Sequence, residues 1–171
     1  TQRRVPLESF NAIFGEDIPR VPGTAMFLSG DANAVPATLL HNLKHNKVLH
    51  ERIVFVHIAT ADVPRLADAD RTEVEVISIG KVYNVTLRYG FREEPDIMRG
   101  IQLLQRHGLS LDPNETTFFL GRSSIARAER RGLFTWRREL FRLMQKNGPS
   151  AAEYFRLPSD RVVELGTQIS V

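Results

Sequence analysis

The sequence predicts an α/β domain: a mixed central sheet holding one parallel βαβ unit and one hairpin, with helices on both faces. Three observations carry this. Residues 52–59, Arg-Ile-Val-Phe-Val-His-Ile-Ala, form the near-continuous apolar run that a strand needs when both of its faces are covered. A shorter apolar run at 24–29 precedes it with helical spacing in between, so strand, helix and strand fall within about 35 residues; parallel pairing through a right-handed crossover is then the favoured outcome. Residues 73–79 and 82–89 alternate on either side of Gly80-Lys81, a two-residue hairpin signal.

Val5, Leu7, Phe10, Ile13 and Phe14 lie close to one helical face and Gly15 supplies a stop, which predicts a short amphipathic helix over 5–14. Turn-forming residues at 18–23 lead into the strand at 24–29, and Gly30-Asp31-Ala32-Asn33 ends it. Pro36 falls in the first turn of the next helix, where Leu39, Leu40, Leu43 and Lys47 keep helical spacing through Leu49. The Pro-, Ala- and Asp-rich stretch 62–71 reads as a loop. Pro95 opens a helix that runs through His107 to a stop at Gly108. Residues 116–120 are a short strand closed by Gly121-Arg122-Ser123. Leu133, Trp136, Leu140, Phe141 and Met144 mark an amphipathic helix over 133–144, and 162–165 and 169–171 read as extended. No repeat or internal boundary interrupts the chain, so 19–171 is expected to be one domain, with 1–18 an amphipathic segment leading into it.

Composition bounds the function. At 171 residues, 42% hydrophobic and 25% charged, the chain has the make-up of one globular domain. Twenty-three Lys and Arg against twenty Asp and Glu leave +3, too balanced for an obligate nucleic-acid binder. The absence of cysteine removes disulfides, thiolate metal clusters and thiol nucleophiles. No apolar run of about 18 residues and no signal-like N-terminus is present, so the chain by itself is expected to be soluble. An opening at Thr1 rather than Met is expected of a chain processed or cut from something longer.

Motifs for chemistry are sparse. His41 and His45 sit at i and i+4, with His50 beyond, and one helix face could present the first two to a metal. The Glu of a zinc-protease motif is replaced by Asn42, however, and Lys44 and Lys47 add positive charge; helix-surface or hydrogen-bonded histidines are the expected reading, with no metal and no cofactor. No nucleophile elbow and no phosphate-cradling glycine pattern occurs. Catalysis is therefore not expected, and an enzyme of phosphate compounds is the remote alternative. The Arg-rich segment 122–146 reads as a solvated helix face, a lipid-facing surface or a phosphate pocket. In α/β sheets ligands sit beyond the carboxyl ends of parallel strands, which makes Gly30, Asp31 and Asn33 after the first strand, and Arg122 and Ser123 after the 116–120 strand, the candidate ligand contacts. Turn chemistry accounts for the first three, and a helix N-cap for Ser123, without any ligand.

Several segments also carry a resemblance: Arg20-Val-Pro-Gly-Thr-Ala-Met-Phe-Leu-Ser, Pro36 to Val54, Arg88-Tyr-Gly-Phe-Arg-Glu-Glu-Pro-Asp, Phe118-Phe-Leu-Gly-Arg, Trp136-Arg-Arg-Glu-Leu-Phe, Phe155-Arg-Leu-Pro and Arg161-Val-Val-Glu-Leu-Gly-Thr-Gln. Together they resemble the post-membrane region of the KUP/HAK/KT potassium transporters across nearly the whole chain. The resemblance implies a bacterial parent that imports potassium with protons, with this portion on the cytoplasmic face of the inner membrane and Val171 near the natural end. It implies regulation, assembly or trafficking for this portion, the membrane domain of the same polypeptide as partner, and pairing into a homodimer. It also implies that an adenine nucleotide such as cyclic di-AMP is a candidate ligand, in which case Asp31 and Asn33 would read ribose or adenine and Arg122 the phosphate.

Overall fold

A computed structural model describes residues 5–15, 17–121 and 151–166. Its frame is a six-stranded sheet of β1 (Arg20–Ser29), β2 (Leu49–Ala61), β3 (Thr72–Ser78), β4 (Val82–Gly90), β5 (Thr116–Gly121) and β6 (Val162–Leu165), in the order β3-β4-β2-β1-β5-β6. Neighbours are parallel throughout except β3 and β4, the expected antiparallel hairpin about Gly80-Lys81. The described helices are α1 (Phe10–Ile13), α2 (Ala37–Asn46), α3 (Ile97–Leu103) and α4 (Ala151–Tyr154). The mixed α/β class expected from the sequence is the one observed.

Alternation along the strands sorts the side chains into two cores. Met26, Leu28, Val54, Val56, Phe118 and Leu120 face one side, under Ile97 and Ile101 of α3 and Phe155 beyond α4. Ala25, Phe27, Ile53, Phe55 and Phe119 face the other, under Leu39 of α2 and Leu7, Phe10 and Phe14. Residues 52–59 are apolar almost throughout because both faces are covered. The second face is aromatic: Phe27 stacks on Phe119 at 4.6 Å between centroids, and Phe10 meets Phe55 edge-on at 5.6 Å. Each such ring contributes roughly 1.5–3 kcal/mol by burial.

Several boundaries move, for physical reasons. Residues 5–14 are not one helix. Pro6 bridges Ala34, a 3-10 turn spans Leu7–Ser9, and only Phe10–Ile13 is α-helical, because the backbone of Val5 and Leu7 bonds elsewhere. Helix α2 stops at Asn46, capped by Lys47 at φ 56°, since Leu49 is already claimed as the first residue of β2. Strands β1 and β2 begin earlier than their apolar runs, with Arg20 opposite Leu49, and a register shift follows between Val21 and Thr24. Gly23, at φ +98°, allows that shift; most other residues would be strained there. The helix after Pro95 starts at Ile97 under an Asp96 cap and tightens to 3-10 at Leu104–His107 before Gly108. The predicted helix at 133–144 and the extended 169–171 lie outside the described residues.

Candidate functional site

The connections dictate where a crevice forms. β1 passes through α2, on one face, to β2 on one side of it; β5 is reached through α3, on the opposite face, and lies on β1's other side. Strand order thus reverses between β1 and β5, and in open α/β sheets that reversal leaves a gap at the carboxyl ends. Phe27 is opposite Phe119, so Ser29 and Gly121, the last residues of β1 and β5, lie towards the same edge of the sheet.

The loop after β1 is tightly wired. Ser29 Oγ donates to the Asp31 carbonyl at 2.6 Å and accepts the Asp31 amide at 3.2 Å, while Asp31 Oδ1 accepts the Asn33 amide at 3.0 Å. This is an Asx turn. His57 Nδ1 lies 3.2 Å from the Ser29 carbonyl, and the buried Asn84 donates to the Ala32 carbonyl and to Glu75 Oε2, each at 3.1 Å. The Leu7 amide donates to the Asn33 carbonyl at 3.0 Å, and the Val35 amide to the Val5 carbonyl at 2.9 Å. Gly30 and Asn33 are exposed, and Asn33 lines an open cleft of about 430 Å³ with Glu8, Asn11 and Glu75. The turn account of Asp31 therefore has its bonds in place. Arg122 and Ser123 lie outside the described residues.

Helix α2 has Pro36 at its N-cap and so no side-chain cap, and Thr38 in its first turn is 3% exposed with no hydrogen-bond partner for Oγ1 among the described residues. His41 and His45 stack at 6.4 Å. Among the described residues no three His, Asp or Glu side chains converge as metal ligands. His50 packs edge-on against Phe119 at 6.0 Å, its Nδ1 buried without a partner among the described residues, and burial lowers its pKa.

A second polar cluster escaped the sequence reading. Arg71, placed in a loop at 62–71, is 4% exposed. It donates to Glu93 at 2.9 and 3.3 Å, to the Leu66 carbonyl at 2.8 Å, to the Arg88 carbonyl at 3.2 Å and to Asp68 at 3.3 Å, and its guanidinium sits 4.9 Å from the Tyr89 ring centroid. Glu93 also accepts the amides of Gly90 at 2.6 Å and Leu66 at 3.1 Å. Burial pushes the Glu93 carboxyl up, but the Arg71 hydrogen bond and those two amides outweigh it and hold it below its usual range. Tyr89, raised chiefly by burial, donates to the Asp96 carbonyl at 2.6 Å. Much of the resemblance segment at 88–96 is thus a structural clamp that fastens loop 62–71 to the end of β4. Gly90 belongs to it because a Cβ there would meet the Pro64 backbone oxygen at 2.4 Å. The missed signal was the Arg that closes a Pro-, Ala- and Asp-rich stretch, with Glu93 and Arg88 as partners some 20 residues away in sequence.

The comparisons with known proteins agree with the resemblance. A probable potassium transport system protein Kup of Azoarcus sp. (strain BH72) is 46% identical over 168 residues, which is 98% of this chain and 26% of that protein. The Kup protein of Acidiphilium cryptum (strain JF-5) is 47% identical over 171 residues, 99% of this chain and 27% of its own length. Kup 1 of Paramagnetospirillum magneticum is 46% identical over 154 residues, 90% and 24% respectively. The chain thus spans about a quarter of the length of the curated relatives it matches. No solved structure matches. The family described as K+ potassium transporter C-terminal domain matches residues 22–171, and to that family this chain belongs.

Proposed function

We propose that this chain is the cytosolic regulatory and assembly domain of a potassium:proton symporter, without catalysis or transport of its own. It is held to the membrane part of the same polypeptide through residues 1–18, on the cytoplasmic face of the bacterial inner membrane, with 19–171 as one domain. The carrying observation is the proportion of the match: 98% of the chain aligns with a potassium transport protein of which it covers 26%, and no described helix is long and apolar enough to cross a membrane. Ion selection and movement need ligands placed along a membrane path, so they belong to the remainder of such a protein, and control or pairing is left to this portion. The test is potassium uptake in transporter-deficient cells by a full-length transporter carrying this domain, with and without the part equivalent to 22–171. Altered rate, regulation or oligomeric state at equal membrane abundance supports the proposal; identical behaviour in all three rejects it.

The reversal of strand order between β1 and β5, where open α/β sheets tend to bind ligands at the carboxyl ends, supports a second reading, an adenine-nucleotide sensor whose contacts are Gly30, Asp31, Asn33, Arg122 and Ser123. A ligand at about 100 times its dissociation constant adds about 2.7 kcal/mol of stability. A melting curve unmoved by millimolar cyclic di-AMP, ATP and AMP removes this reading and leaves the first intact.

A further inference from the structure

Residues 5–14 are the first described segment, and they have little stability of their own. One 3-10 turn and a four-residue α-helix are far below the length at which a helix persists alone in water. Docking holds them: Leu7, Phe10 and Phe14 are buried against the aromatic face of the sheet, with Phe10 and Phe14 4.9 Å apart. The segment is anchored at two places. It pairs with the loop after β1, through the Leu7 amide to Asn33, the Val35 amide to Val5, and the antiparallel bridge of Pro6 with Ala34. Farther along, Asn11 Nδ2 donates to the Ile77 carbonyl of β3 at 2.9 Å. Beyond it the exposed Gly15, around which an added Cβ would meet no atom within 4 Å, leaves room for a hinge. The seam is not sealed: the cleft of about 430 Å³ runs between this segment, Asn33 and Glu75.

We infer that residues 5–14 are a strap, and that the strap and the loop at residues 30–35 form one cooperative unit that docks and releases together. Releasing the strap strips the Val35 amide and the Asn33 carbonyl of their backbone partners, and releasing the loop strips the Leu7 amide and the Val5 carbonyl; each side therefore lowers the cost of opening the other. Because such coupling is reciprocal, an event at the carboxyl edge between β1 and β5 changes how firmly the chain is held at Val5. In a full-length transporter that is the side from which the membrane part is proposed to lead in, and this extension rests on the function proposed above; the coupling itself does not.

The experiment is residue-resolved amide hydrogen exchange on the whole 171-residue chain, without added ligand, so that its result is independent of any nucleotide. The amides of Leu7, Phe14 and Val35 are expected to exchange from one shared opening, about tenfold or more faster than Phe55 and Val85 in the central strands. Phe10→Ala perturbs the strap's apolar contacts and Asn84→Ala the loop's bond to the sheet together with the bond to Glu75, yet each is expected to accelerate all three amides by a common factor. If Phe10→Ala fails to fold, Phe10→Leu makes the same comparison. Val35 unchanged while Leu7 and Phe14 accelerate overturns the inference, as does exchange of strap and loop no faster than that of Phe55 and Val85.

Discussion

Arg71→Met is the most informative single perturbation of the fold. It keeps the length and apolar contact of the side chain while deleting the charge and five hydrogen bonds, two of them to Glu93. Breaking a buried pair by removing one partner costs about 3–5 kcal/mol. Here the lower end applies, because the Glu93 side chain is 20% exposed and keeps the amides of Gly90 and Leu66. A loss of about 3 kcal/mol is expected, or a fall in melting temperature of roughly 6–12 °C for a domain of this size. Urea unfolding followed by circular dichroism measures it, with a lower midpoint and an unchanged slope. The double variant Arg71→Met/Glu93→Gln separates pairing from packing: coupling of about 1.5 kcal/mol or more is expected. A single-variant loss below about 1 kcal/mol, or additivity within about 0.5 kcal/mol, refutes the clamp. The same carboxylate sets an acid dependence. Since the folded-state pKa of Glu93 lies below its ordinary 4.5, its stabilisation is complete above that value and is lost as pH falls through the lowered one; Glu93→Gln should remove this part of the acid sensitivity.

Gly90→Ala should cost about 3 kcal/mol, because the new methyl meets backbone of Pro64 and Arg65 at 2.4–2.6 Å and backbone yields poorly. Gly100→Ala, facing chiefly the terminal carbons of Leu87 from 2.7 Å, should stay within about 1 kcal/mol, since a side chain can turn and alanine favours the helix; thermal melts of the two rank them. His50 has a folded pKa lowered by burial from 6.5, so the unfolded chain binds the extra proton first. Stability is full above 6.5 and declines as pH falls towards the lowered value; urea midpoints across that range should show a slope that His50→Gln removes. A chelator should leave the melting temperature unchanged, and a fall reversed by zinc would contradict the metal-free reading of His41 and His45.

Local pattern made much of this protein legible. The burial of 52–59 on both faces, the βαβ unit, the Gly80-Lys81 hairpin and the Gly108 stop all follow from periodicity and turn chemistry, which act over a few residues. The placement of Gly30, Asp31 and Asn33 at a strand's carboxyl end was legible for the same reason, while Asp31 turned out to serve the turn itself. The family could be read from the text of the chain as well, before any coordinate. What only the tertiary structure decided are the relations between distant segments. The order β3-β4-β2-β1-β5-β6, the burial of Arg71 against Glu93, and the pairing of Val5–Leu7 with Asn33–Val35 each join residues roughly 20 or more positions apart. Such contacts form because several elements converge on the same space and their backbone groups must all be satisfied together, a condition that no short window of sequence expresses.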